Sequence, residues 1–138
     1  MGEPAWWLKK FGDFIYLLNC YAEGEKDVLQ RRFKKDGDAK QMLYDLIDAL
    51  DGLGFDKALE YGRTMRRIKT ISNSKHLSLI ELRVGSTLWR VVTYVDYERK
   101  AFVMIDAFQH HKAKKMNDVV EQNEANIRRA MELLGKVG

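Results

Sequence analysis

The spacing of apolar and polar positions divides the chain into strands and helices. Over residues 12–22 apolar side chains fall on both parities, Phe14, Tyr16 and Leu18 on one and Ile15, Leu17 and Tyr21 on the other. That pattern predicts a first, buried strand, ended by Gly24. Residues 25–35 read as a short charged helix that buries Val28, Leu29 and Phe33. The run Asp36-Gly37-Asp38 ends it and offers Asp38 as the N-cap of the next helix. Residues 40–50 carry the clearest helical period, with Met42, Leu43, Leu46, Ile47 and Leu50 on one apolar face; Gly52 and Gly54 stop it. The two helices form an antiparallel hairpin whose apolar stripe must lie on something flat.

Residues 55–74 predict a turn of helix and then a loop, in which Leu59, Met65, Ile68 and Ile71 are apolar and Arg63, Arg66, Arg67 and Lys69 form a basic cluster. Three strands follow at 77–84, 88–96 and 101–109, joined by Gly85-Ser86-Thr87 and by residues 97–100, both short enough for hairpins. The third is apolar at nearly every position and is expected at the centre of the sheet, with Asp106 its one charged interior residue. After a basic loop to Lys115, Asn117 can cap a last helix that buries Val120, Ile127, Met131 and Leu134 before Gly135. The predicted fold is one α+β domain over residues 1–138, in the order β-α-α-β-β-β-α: an antiparallel meander, a helix hairpin on one face, a C-terminal helix, and the other face more open.

With 138 residues, 46% of them hydrophobic, the chain can bury one core. Its one cysteine, Cys20, excludes an internal disulfide and a paired-cysteine metal site, and reads as a small buried hydrophobe. Trp6, Trp7 and Leu8 followed by Lys9-Lys10 are too short and in the wrong order for a signal peptide, and no apolar run reaches the length of a membrane helix. A cytoplasmic protein is the expectation. The net charge of +4 is uneven: residues 1–60 hold 9 Lys/Arg against 12 Asp/Glu, while residues 61–138 hold 15 against 8. A second half at +7 favours a polyanion or an acidic protein as partner, and fits a solvated surface as well.

Strand alternation puts Trp89, Val91, Thr93 and Val95 on one face of the middle strand and Arg90, Val92, Tyr94 and Asp96 on the other. In the preceding strand Leu79, Glu81 and Arg83 share a face. If the register brings these faces together, Glu81, Arg83, Arg90 and Tyr94 form a polar patch near His110, His111, Lys112 and Lys114. Guanidinium groups bind phosphate in two-point fashion, and histidine exchanges protons near neutral pH. The plainer alternative is a Glu–Arg cross-strand pair of modest stabilising effect. Zinc held by His110, His111 and either His76 or Asp106 is disfavoured, since adjacent histidines are poor ligand spacing. No phosphate-cradling glycine loop and no nucleophile elbow occur.

The series ELR, a short glycine-containing loop, WRVVTYVD, a turn and KAFVMIDAFQHHKAKK resembles the RelE/HigB superfamily of toxins from type II toxin–antitoxin systems, and looks closest to its HigB-like, phage-derived branch. The likeness covers about residues 79–115 and extends to the helix hairpin. It implies an endoribonuclease that cuts mRNA in the ribosomal A site, needs no metal or other cofactor, and is neutralised by an antitoxin, often a helix-turn-helix protein, in a hetero-oligomer. In such a reaction a base takes the proton of a ribose 2′-hydroxyl, which attacks the adjacent phosphate. A cation stabilises charge on phosphorus and an acid protonates the leaving 5′-oxygen.

Carried over by position, Arg90 matches the arginine that holds the scissile phosphate, and Arg83 matches a second basic position. His110 or His111 stands where relatives place the acid, and Arg66, Arg67, Lys69, Lys112, Lys114 and Lys115 would line the RNA. Glu81 stands where RelE itself has lysine, though glutamate is usual in the HigB-like branch and pairs with an arginine there. Tyr94 is a secondary candidate. Two other readings use the same sheet: a RelE/ParE-fold binding protein without nuclease activity, and a general RNA-binding surface on which Trp89, Tyr94 or His110 stacks on bases.

Overall fold

The computed structural model describes residues 6–20, 28–64, 68–70, 79–110 and 116–136, with the backbone alone at 20, 28, 68–70 and 116–117. Trp6–Phe11 (β1) and Ile15–Cys20 (β2) form an antiparallel hairpin, Phe11 facing Ile15. Gly12 turns it at a φ of 69°, and a Cβ there would overlap the carboxylate of Asp51, which accepts the Asp13 N–H at 2.8 Å. Three helices follow: Val28–Arg32 (α1), Gly37–Leu53 (α2) and Phe55–Thr64 (α3). Then come Ile68–Thr70 (β3), Leu79–Arg83 (β4), Trp89–Asp96 (β5) and Ala101–Gln109 (β6), and finally Met116–Gln122 (α4) and Glu124–Gly135 (α5).

The six strands make one mixed sheet in the order β1-β2-β6-β5-β4-β3. All neighbours are antiparallel except β2 and β6, which run parallel over Ile15–Leu17 against Phe102–Met104. Helix α2 turns Ala39, Leu43, Ile47 and Leu50 inward, and with α1 and α3 it covers one face of the sheet, built on Ile80, Leu82, Trp89, Val91, Phe102 and Met104. Each such aliphatic side chain taken from water stabilises by roughly 1.5–3 kcal/mol. The opposite face, with Leu79, Val92, Val103, Ile105 and Phe108, packs on Val119, Val120, Ile127, Ala130 and Leu134 of α4 and α5. Strand β6 is buried on both sides, which is why it reads as an unbroken apolar run.

Several expectations change. The sheet is mixed, not an antiparallel meander, because β2 lies parallel beside β6, with the helices and β3–β5 between them in the chain. Helices lie on both faces, so the second face is not simply open. β1 and β3 are strands the spacing did not reveal. Of the basic cluster expected in a loop, Lys69 lies within β3. The C-terminal helix is two helices meeting at Asn123, and Met131 faces solvent at 43% exposure. Met42 is likewise on the outside of α2. The predicted Asn117 cap side chain and the burial of Cys20 lie outside the described residues.

Asp36, not Asp38, caps α2. Its Oδ1 accepts the Ala39 N–H at 3.1 Å, and its Oδ2 accepts the Trp89 indole N–H at 2.9 Å. The indole bond and then the backbone bond hold the Asp36 carboxyl below its ordinary pKa, against a smaller opposing effect of burial. A depressed carboxyl contributes stability above its unfolded-state pKa and loses it as pH falls through the folded-state value. Asp36→Asn is therefore expected to be less stable than the parent at neutral pH, with the gap closing as pH drops below the ordinary aspartate range. Urea unfolding at a series of pH values checks this.

Candidate functional site

The β4–β5 hairpin sets Arg83 directly opposite Arg90. Its connection is tied by Thr87, whose backbone N–H and hydroxyl both donate to the Val84 carbonyl, at 3.1 and 2.6 Å. Thr87 Oγ1 in turn accepts the Trp89 N–H at 3.1 Å. Glu81 pairs across with Val92, which places its carboxylate diagonal to Arg90 on the second face. Arg90 Nε lies 3.0 Å from Glu81 Oε1, and Arg83 Nε lies 4.0 Å from the same oxygen. One carboxylate thus faces two guanidinium groups.

Arg90 is held further by its own turn: Nη1 donates to the carbonyls of Thr87 at 2.8 Å and Trp89 at 2.9 Å. Its side chain is 13% exposed against 38% for Arg83. Burial lowers the Arg90 pKa most, Glu81 raises it and Arg83 lowers it, the net direction being down; a guanidinium remains charged at neutral pH all the same. Neither Nε–H is aligned on an acceptor, and both atoms are buried. Two like charges opposite each other on a strand pair repel. Among the described residues one counter-charge stands between them, so there the pair carries an excess positive charge and donors suited to an anion.

His110 continues the row. Its N–H donates to the Leu88 carbonyl at 2.7 Å, extending the β5–β6 ladder, and its ring is 6.5 Å from that of Phe108. Since Phe108 pairs with Arg90, His110 is the diagonal neighbour of Arg90, roughly 7–8 Å away. It is exposed. Glu81, Arg83, Arg90 and His110 are thereby brought to one end of the second face.

Tyr94 shares that face but lies two same-face positions further along β5, packed against the α4–α5 core. Burial first, and Asp96 next, push its hydroxyl pKa up. Trp89 points to the opposite face, buried and bonded to Asp36, so it offers no stacking surface beside Arg90. His111, Lys112, Lys114, Lys115, Arg66, Arg67 and His76 lie outside the described residues, as does the side chain of Lys69. Among the described residues no group of three or more His, Cys, Asp or Glu side chains could hold a metal ion. No described helix is long and apolar enough to cross a membrane.

Sequence reasoning passed over the role of Asp106. A bulge opposite Val92 and Thr93 leaves Ile105 as the extra residue of β6 and re-aims the strand. Asp106 accepts two bonds from Arg32, at 2.8 and 3.2 Å, and one from Asn123 at 3.1 Å. The helix break at Asn123 is thus a bonding position, and a buried aspartate in an apolar strand was the available signal.

The charge balance yields an expectation. Glu81→Gln removes the carboxylate that lies between the two arginines, and should lower stability by roughly 1–2 kcal/mol. Millimolar sulfate or phosphate should restore part of that loss, as read from urea midpoints with and without the anion.

No protein-family model matches the chain, and no match is found among curated proteins or solved structures.

Proposed function

We propose that the chain is a toxin-type endoribonuclease that cuts mRNA on the ribosome, with Arg90 and Arg83 holding the scissile phosphate. The observation that carries this reading is the pairing of two arginines opposite each other around one glutamate, beside the exposed His110. An exposed imidazole next to an anion site can protonate a leaving 5′-oxygen. The arginines stabilise the charge that builds on phosphorus as the 2′-oxygen attacks, and the resulting ends are a 2′,3′-cyclic phosphate and a 5′-hydroxyl. The +7 charge of residues 61–138 suits an RNA partner. On this reading the partner that silences the protein is an antitoxin of the helix-turn-helix kind, the protein works in the cytoplasm, and the chain is of the RelE/HigB type.

A binding protein without chemistry is the second reading, and the Glu81–Arg90 pair favours it, because that pair partly occupies the guanidinium with a structural contact. Induced expression separates the two. The enzyme arrests growth and shortens translated messages, whereas a binder leaves messages whole. His110→Ala combined with His111→Ala should slow cleavage with RNA binding retained; unchanged cleavage would remove both histidines as acids.

A further inference from the structure

The N–H bond from His110 to the Leu88 carbonyl carries the β5–β6 register one step past Trp89 and Gln109, so Leu88 stands opposite His110. Trp89 is turned into the helix-covered face, and alternation sets Leu88 on the other side, two residues from Arg90. Among the described residues Leu88 is the most exposed large apolar side chain, at 59%. Its position is fixed. Thr87 before it bonds twice to the Val84 carbonyl and accepts the Trp89 N–H, and the Leu88 carbonyl itself is held by His110. A single exposed leucine is ordinary, although it forgoes the stabilisation of burial. The neighbours of Leu88 are not ordinary: the exposed imidazole of His110 opposite it, and Arg90 with Arg83 in the next cross-strand row.

We infer that Leu88, with the His110 ring beside it, seats the nucleobase that follows the phosphate bound by Arg83 and Arg90. A bare phosphate uses only the guanidinium groups; a nucleotide uses them and an apolar ledge one step away. Arg90 and Leu88 are two strand residues apart, roughly 6–7 Å, which lies within the length of one nucleotide. The ledge has an aliphatic side chain and an aromatic ring, and Leu88 carries no side-chain donor or acceptor to read a base edge. It therefore favours any flat base over none, and sets position more than sequence.

The direction of the RNA rests on the nuclease reading. His110 protonates the 5′-oxygen of the departing nucleoside, so that nucleoside lies on the His110 side of the phosphate, where it meets Leu88. In the opposite direction along β5 the face is closed, since Val92 and Tyr94 pack against the α4–α5 core. A strand leaving the arginines is thus led past Leu88 at the hairpin end of the sheet. The base seat itself is separable from the chemistry, because a protein that only binds RNA would use it in the same way.

Fluorescence anisotropy tests it with 2′-O-methylated hexamers of adenosine, cytidine and uridine, which cannot be cut, and with an abasic ribose–phosphate hexamer of equal charge. At least one base-bearing hexamer should bind the parent protein about tenfold tighter than the abasic one. Leu88→Ser should reduce that ratio to below about threefold without changing abasic binding, and Leu88→Trp should raise it. Arg83→Ala should weaken base-bearing and abasic hexamers alike, and Met131→Ser, at another exposed apolar residue on α5, should change neither. The two readings fail separately. A parent that shows the base-dependent ratio but cuts no message keeps the base seat and loses the nuclease; a parent that cuts messages but lacks the ratio keeps the nuclease and loses the seat. Equal binding of base-bearing and abasic hexamers, no binding of any hexamer, or Leu88→Ser and Leu88→Trp both matching the parent would overturn the inference.

Discussion

Arg90→Ala is expected to lower RNA cleavage at least about a hundredfold, the loss that follows when a contact to the transition-state charge is removed. Arg90 is held on the second face by the turn carbonyls of Thr87 and Trp89 and by Glu81, so its guanidinium is positioned before substrate arrives. Arg83 is more exposed, and among the described residues its tie is the 4.0 Å approach to Glu81. Its replacement by alanine should therefore cost less, roughly tenfold, and should mainly weaken RNA binding. Arg90→Lys retains charge but loses the planar two-point geometry, and should fall between the two alanine variants. Removing Arg90 also takes away the 3.0 Å contact to Glu81, so a modest fall in stability accompanies the loss of activity. Rates should be compared where circular dichroism shows both proteins folded.

The second large effect is on stability. Phe102 is fully buried in β6, with ring centroids 5.3 Å from both Phe14 and Phe55 in edge-on arrangements. It also pairs with Ile15 across the parallel junction of β2 and β6 and with Val95 across the antiparallel one. Phe102→Ala opens a cavity where the β1–β2 turn, α3 and the sheet meet, and should cost about 3–5 kcal/mol. That is a large share of the roughly 5–15 kcal/mol typical of a folded domain. Met131→Ala on the outer side of α5 should stay within about 0.5 kcal/mol. Urea midpoints measure both, and a Phe102 variant as stable as the Met131 variant would contradict this account of the core.

The parts of the fold legible in the sequence are those with one strong period. Strand β6 falls on the predicted residues because an apolar run between two short turns has few other options. Helix α2 shows its buried stripe, though Asp36 captures the cap because it also receives the Trp89 indole from a distant strand. Strand β1 escaped because Lys9 and Lys10 break its alternation, and its order comes from pairing with β2. In retrospect Trp6 and Leu8 on one parity, both packed toward the α4–α5 core, were its signal. The parallel junction and the bulge at Ile105 depend on contacts between distant segments, which no local pattern encodes.

The candidate site was legible in the same uneven way. Alternation placed Glu81, Arg83 and Arg90 on one face, and the hairpin register brings the arginines opposite each other. Tyr94 shares the parity yet belongs to the packed part of that face, because α5 covers β5 there. The Asp106–Arg32–Asn123 cluster joins three separate elements and had no sequence motif to announce it.

The most direct test of the central claim is primer extension on a translated message incubated with programmed ribosomes and the purified protein. The account predicts breaks within the A-site codon bearing 2′,3′-cyclic phosphate ends, present with the parent protein and lost with Arg90→Ala. An intact message with the folded parent protein, or equal breakage by the Arg90 variant, would contradict it.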